Sequence, residues 1–139
     1  MSIRVKICGL STPETVGAAV EAGADYLGFV FFEKSPRNIS PEQAADLAKL
    51  VPANVLKVAL TVDADDATLA RIVATLKPDM LQLHGSETPE RLRELKGRFG
   101  LTLMKAIAVS APEDLTGSSI YRDSADLLLF DAKPPKSMQ

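Results

Sequence analysis

The chain has 139 residues, the size of one ordinary domain, and 46 % of them are hydrophobic, which is enough for a sizeable core. The 16 Lys and Arg nearly balance the 18 Asp and Glu, so the composition favours a small-molecule partner over nucleic acid or an anionic membrane. One Cys excludes an internal disulfide, and one Cys with one His makes no convincing metal site. No apolar run approaches membrane-spanning length, and Arg4 and Lys6 interrupt the start in a way that signal peptides avoid. We expect a cytoplasmic protein that contacts neither nucleic acid nor membrane.

Six short apolar runs recur along the chain, and their first residues lie 22, 30, 24, 22 and 25 positions apart. These runs are residues 3–7, 25–31, 55–60, 79–83, 101–105 and 126–130. Most are continuous and not alternating, as in LGFVFF and LLLF, which is typical of strands buried on both faces. The pattern predicts a parallel sheet that is covered by helices.

The segments between the runs have helical spacing and recognisable starts. Ser40 and Thr88 each precede a proline, which is the usual order of a cap residue and the first helical position. Capping boxes are predicted at Ser11 and Ser110, and Asp63 is the predicted cap of the third helix. Five helices are therefore expected between six strands.

Such a repeat is typical of a doubly wound sheet or a TIM barrel, since both join parallel strands through right-handed helical crossovers. Neither GxGxxG nor a P-loop is present, which favours the barrel. A complete barrel has eight units in about 250 residues. The predicted fold is therefore α/β, an incomplete TIM (β/α)8 barrel of six strands and five helices, forming a single partial domain over residues 1–139.

The active site of a barrel lies at the C-terminal ends of its strands, so the residues that follow each run are the candidates. Cys8 follows the first run and precedes a capped helix, where the helix dipole favours a thiolate, although a lone Cys is more often a small buried side chain. Asp131 follows the sixth run, where a carboxyl group could serve as a general acid or simply as a turn residue.

Three further candidates lie at or after the ends of the second and fourth runs. Arg37 lies in the segment SPRN, whose proline stiffens the loop, and its guanidinium suits a carboxylate or phosphate, although most loop arginines are solvated. Gln82 and His84 flank Leu83, so the alternation of a strand points both to the same face. His84 taken alone is better explained as a structural hydrogen-bonding residue.

The segments VKICGL, ADYLGFVFFEKSPRNIS, LQLHG and LLLFDAKPP, in this order, closely resemble the phosphoribosylanthranilate isomerase family of tryptophan biosynthesis. The resemblance implies a TIM barrel, an aldose–ketose type isomerase, no cofactor, and a phosphorylated sugar–anthranilate substrate. It also implies that Cys8 is the general base and Asp131 the general acid. Arg37 would contact the anthranilate carboxylate, while Gln82 and His84 would line the pocket.

The implied reaction is an Amadori rearrangement of N-(5-phosphoribosyl)anthranilate to 1-(2-carboxyphenylamino)-1-deoxyribulose 5-phosphate. Asp131 would protonate the furanose ring oxygen and open the ring to a Schiff base. Cys8 would then remove the C2′ proton, and the resulting enolamine would tautomerise to the product.

In that family the substrate phosphate is bound by loops after strands seven and eight, and this sequence stops before them. We therefore expect an N-terminal portion of a longer barrel, and we expect the 139 residues alone to be inactive. Two alternatives remain open. One is another cofactor-free sugar-phosphate barrel enzyme, an epimerase or an aldolase with Lys105 as its Schiff-base lysine. The other is a non-catalytic partial barrel that associates with its own copies through open sheet edges.

Overall fold

Strands and helices alternate along the whole of residues 2–133, the part of the chain that the computed structural model describes. The strands are β1 (Lys6–Cys8), β2 (Tyr26–Phe31), β3 (Leu56–Thr61), β4 (Met80–Leu83), β5 (Thr102–Val109) and β6 (Leu127–Ala132). The helices are α1 (Pro13–Glu21), α2 (Pro41–Ala48), α3 (Asp66–Leu76), α4 (Pro89–Phe99) and α5 (Pro112–Gly117), followed by a short 3-10 helix, Ser118–Tyr121. The predicted succession of six strands and five helices is confirmed for this part of the chain.

All six strands form one parallel sheet in sequential order, β1-β2-β3-β4-β5-β6. The sheet is curled into part of a barrel, and its helices cover the convex side, as right-handed crossovers require. The predicted α/β fold of TIM-barrel type is thereby confirmed. β1 and β6 form the two edges among the described strands.

The two faces of the sheet carry different side chains because successive residues of a strand point to opposite sides. Leu27, Phe29 and Leu81 belong to the helix-side core, where they pack with fully buried helix residues such as Ile72 and Leu95. The opposite, concave face carries a second set of side chains. It includes Cys8, Val30, Val58, Met80, Gln82, Ala106 and Asp131.

Three strand boundaries differ from the apolar runs in ways that affect the site. β1 starts at Lys6 and ends at Cys8. β6 continues through Asp131, whereas the apolar run ended at Phe130. β5 continues to Val109, which places Lys105 in mid-strand and not at the strand end. Backbone hydrogen bonds to β6 extend β5 beyond the apolar run, because strand pairing does not require apolar side chains.

The helix starts are only partly as predicted. The side chains of Ser40 and Thr88 cap α2 and α4, and Ser40 forms a complete capping box with Gln43. For α1 the cap is Thr12 and not Ser11, and for α3 it is Asp65 and not Asp63.

The predicted box at Ser110 is also shifted. The N-cap of α5 is Ala111, and the Asp114 carboxylate accepts from the N–H groups of Ser110 and Ala111 at 2.9 and 3.1 Å. In all three helices the N-cap lies one or two residues after the predicted residue. Neighbouring polar side chains compete for the same amides at α1 and α3, whereas at α5 the Asp114 carboxylate bonds the amides before the helix.

An aspartate directly before each even-numbered strand accepts a backbone N–H from the region of the preceding strand. The pairs are Asp25 with Val5 (2.7 Å), Asp79 with Lys57 (2.8 Å) and Asp126 with Leu103 (2.8 Å). The N–H of Leu103, helped by the Lys96 ammonium, holds the pKa of the Asp126 carboxyl below its ordinary value. These hydrogen bonds join the strands in pairs at their N-terminal ends. The candidate residues lie at the opposite, C-terminal ends of the strands.

Candidate active site

A cavity of about 330 Å³ opens at the C-terminal ends of β4, β5 and β6. Two of the predicted residues, His84 and Asp131, line it together with Gly85, Ala106, Ala108 and Ala132. The small side chains leave room above the sheet, and the imidazole and carboxyl supply its polar groups. A larger cavity of about 560 Å³ lies between α2 and α3, and its described lining contains none of the five predicted site residues.

His84 lies between two polar neighbours. Its Nδ1 is 3.1 Å from Gln82 Nε2, and its Nε2 is 3.6 Å from Asp131 Oδ2, a close polar contact longer than a hydrogen bond. An amide N–H of Gln82 donates to Nδ1, which leaves the ring proton on Nε2, beside the carboxylate. The prediction that Gln82 and His84 point to one face is confirmed by this contact.

Burial is the main cause that lowers the pKa of His84, and the nearby charges of Lys105 and Lys6 lower it further. The Asp131 carboxylate acts in the opposite direction and does not overcome them. His84 is therefore neutral at neutral pH.

Cys8 and Arg37 meet at the end of β1. The Arg37 guanidinium donates to the Cys8 carbonyl at 3.3 Å, and its side chain crosses the backbone of Gly9. Gly9 has φ +81°, and a Cβ there would lie 2.5 Å from Arg37 Cδ. The backbone conformation therefore favours glycine at this position, and the absence of a side chain lets the arginine lie close to the backbone.

A second glycine makes room beside the thiol. A Cβ on Gly28, which pairs with Cys8 across β1 and β2, would lie 3.0 Å from Cys8 Sγ and 3.1 Å from Lys6 Nζ. Lys6 thus shares the concave face with the half-buried Cys8. Lys6 is not among the predicted site residues, although it stands two residues before Cys8, the spacing that places two side chains on one face of a strand.

The candidate residues therefore form two groups on one rim of the sheet. Cys8 and Arg37 lie at β1 and β2, and Gln82, His84 and Asp131 lie at β4 to β6. Gln82 Oε1 is buried and has no hydrogen-bond partner among the described residues, so it can accept from a molecule in the barrel mouth. Among residues 2–133 no three His, Cys, Asp or Glu side chains are grouped as a metal site would need.

Comparison with known proteins agrees with this arrangement. The family model described as N-(5′-phosphoribosyl)anthranilate (PRA) isomerase matches residues 5–137. The chain belongs to the phosphoribosylanthranilate isomerase family. An isomerase of this family from Parvibaculum lavamentivorans is 71 % identical over 138 residues, which cover 99 % of this chain and 64 % of that protein. The chain thus spans about two thirds of the length of that relative.

Solved structures of the family have the same fold. The Thermotoga maritima phosphoribosyl anthranilate isomerase superposes with a TM-score of 0.89 at 35 % identity, covering 97 % of this chain and 64 % of that one. A phosphoribosyl anthranilate isomerase in complex with reduced 1-(o-carboxyphenylamino)-1-deoxyribulose 5-phosphate has a TM-score of 0.87 at 34 % identity, covering 94 % and 66 %. The resemblance found in the sequence is confirmed at the level of the family. Of the helices described, none has the length and apolarity that crossing a membrane requires.

Proposed function

We propose that the protein carrying this chain is a phosphoribosylanthranilate isomerase, acting without a cofactor in tryptophan biosynthesis. The observation that carries the proposal is the placement of a thiol and a carboxyl at the ends of β1 and β6, on the concave face of one curled sheet. An aldose–ketose rearrangement requires one proton donor and one proton acceptor around the same sugar, and Asp131 and Cys8 supply them.

Asp131 acts first, as the general acid. Its proton passes to the furanose ring oxygen, the bond from C1′ to that oxygen breaks, and the nitrogen lone pair forms the C1′–N double bond of a Schiff base. The carboxyl is exposed towards the cavity, and the neutral His84 beside it does not compete for its role as proton donor. His84 and Gln82 line the pocket and orient this carboxyl and the sugar.

Cys8 acts second, as the general base. Its thiolate removes the proton from C2′, and the electrons of that bond form a C1′–C2′ double bond while the Schiff-base nitrogen regains its lone pair. The enolamine then tautomerises to the 2-keto product. Arg37, whose guanidinium is held 3.3 Å from the Cys8 carbonyl, binds the anthranilate carboxylate near the reacting carbon.

The proposal can be tested with a chimera that joins residues 1–139 to the part of the Parvibaculum lavamentivorans isomerase that the match leaves uncovered. We expect it to convert N-(5-phosphoribosyl)anthranilate at a rate of the same order as that relative. The 139 residues alone are expected to show no turnover, because the family's phosphate loops are not among them. A folded chimera without turnover, in an assay where the relative is active, would overturn the proposal.

The aldolase alternative requires Lys105 to attack a carbonyl. Lys105 is 3 % exposed and lies in mid-strand on the helix side of the sheet. Its ammonium donates to the carbonyls of Gly85 and Ala106 at 2.6 and 3.2 Å and pairs with Glu87. A lysine so enclosed does not reach a substrate at the concave face, so the geometry favours the isomerase.

We also propose that the 139-residue chain associates with its own copies through β1 and β6. Apolar side chains are exposed at both edges, including Val5 and Ile7 at β1 and Phe130 at β6. Sedimentation of the chain should give a mass above that of a monomer, and Phe130→Lys should shift it towards the monomer. Leu50→Lys is the matched control, because Leu50 is 51 % exposed, as Phe130 is at 52 %, but lies away from the edges. A monomeric chain would refute the proposal.

A further inference from the structure

Two opposite charges are buried beneath the candidate site and have no part in the proposed chemistry. The side chains of Glu87 and Lys105 are 4 % and 3 % exposed, and Lys105 Nζ lies 3.3 Å from Glu87 Oε1. Burying charges is costly, so a buried pair is weak evidence for net stability. The contacts of this pair show what it holds.

Glu87 joins two loops on the rim of the sheet. Its Oε2 accepts the N–H of Asp63, in the loop after β3, at 2.9 Å, and its Oε1 accepts the N–H of Gly85, in the loop after β4, also at 2.9 Å. The Asp63 carboxylate in turn accepts the N–H of Ser86 at 2.8 Å. One carboxylate therefore fixes the backbone of both loops.

Lys105 holds the same loop from the other side. Its ammonium donates to the Gly85 carbonyl at 2.6 Å and lies 5.5 Å from the ring centre of Tyr121, whose hydroxyl donates to the Glu87 carbonyl at 2.6 Å. Both polar backbone groups of Gly85 are thus bound by the pair.

Gly85 directly follows His84, so the bonds that fix its backbone also restrict the backbone from which the imidazole extends. The His84 N–H is held by the Thr61 carbonyl at 2.9 Å, and a Cβ on Gly85 would lie 2.6 Å from the Asp63 carboxyl carbon. The Asp63 carboxyl group therefore packs directly against the loop at Gly85. The position of this loop determines whether His84 stays between Gln82 and Asp131.

We propose that Glu87 and Lys105 are positioning residues, which clamp the loop after β4 so that the His84 imidazole stays bonded to Gln82 with its Nε2 against Asp131. The relevance of this placement to turnover rests on the proposed function, whereas the placement itself can be measured without turnover. The two can therefore fail separately.

The test uses His84, the sole histidine of the sequence, as a reporter. In ¹⁵N NMR spectra of the chain at a pH where the ring is neutral, one ring nitrogen should be pyridine-like and the other pyrrole-like, as expected for a fixed tautomer. In Glu87→Gln one of the two carboxylate oxygens becomes an NH2 group, so either the Asp63 N–H or the Gly85 N–H and Lys105 lose their acceptor, and the two shifts should move towards each other. Glu42→Gln is the matched control, because Glu42 pairs with Arg71 on the surface at 2.7 Å, and it should leave both shifts unchanged.

A folded Glu87→Gln variant with the native separation of the two shifts would overturn the proposal. Should that variant fail to fold, Asp63→Gly decides, because Asp63 is exposed and has φ 49°, a conformation that glycine adopts without strain. It removes only the carboxylate that holds Ser86, and we expect a smaller movement of both shifts in the same direction. Native shifts in that variant would equally overturn the proposal.

Discussion

Cys8→Ser in the chimera is expected to lower kcat by about 10²- to 10⁴-fold, the usual contribution of a positioned general base. A hydroxyl is far less readily ionised than a thiol, so serine at the end of β1 leaves the C2′ proton without an acceptor. Binding should change little, because Arg37 reaches the carbonyl of residue 8 and not its side chain. The loss should therefore appear in kcat and not in KM, measured by steady-state conversion of N-(5-phosphoribosyl)anthranilate.

The substitution exchanges one atom in a half-buried side chain, so stability should be nearly unchanged. The urea midpoint of unfolding serves as the control. A folded Cys8→Ser enzyme with a near-native kcat would show that Cys8 only packs beside Lys6 and Gly28.

Asp131→Asn is the second substitution with a large expected effect, again a loss of about 10²- to 10⁴-fold in kcat because an amide N–H is far too weakly acidic to transfer its proton to the ring oxygen. The Asp131→Asn substitution should also change the titration of His84. The Asp131 carboxylate raises the pKa of His84 against burial, so its removal should move the NMR titration of His84 to lower pH.

Asp126→Asn is the matched control for this variant. Asp126 directly precedes β6 at its opposite end, where its carboxylate accepts the N–H of Leu103 at 2.8 Å and pairs with Lys96 at 2.9 Å. Its loss should affect stability but neither kcat nor the His84 titration. Equal turnover by the two folded variants would remove Asp131 from the role of general acid.

The fold was predictable because continuous apolar runs and regular spacing are direct consequences of a parallel sheet covered by helices. The candidate residues Cys8, Arg37, His84 and Asp131 could be selected because such sheets collect functional side chains at one end of their strands. The contact between Gln82 and His84 followed from the two-residue alternation of a strand.

The parts that were not predictable depend on contacts between distant segments. Lys105 could be interpreted as a reactive lysine because no local pattern shows that Glu87, 18 residues earlier, neutralises it on the helix side. The sequence predicts Asp63 as a helix cap, whereas its carboxylate holds the loop after β4. Lys6 had a usable signal in its spacing to Cys8, but only the glycine at position 28 explains why both side chains fit.

The central proposal is that Asp131 opens the ring and that Cys8 then removes the C2′ proton. The order of these two proton transfers can be tested directly. The measurement is the kinetic isotope effect on conversion of substrate deuterated at C2′, compared between the Cys8→Ser and Asp131→Asn chimeras. In Cys8→Ser, proton removal from C2′ limits the rate, and the account predicts a large primary effect. In Asp131→Asn, ring opening limits the rate, and the effect should fall towards one. The reverse pattern, or the same isotope effect in both variants, would contradict the assignment of acid and base to these two residues.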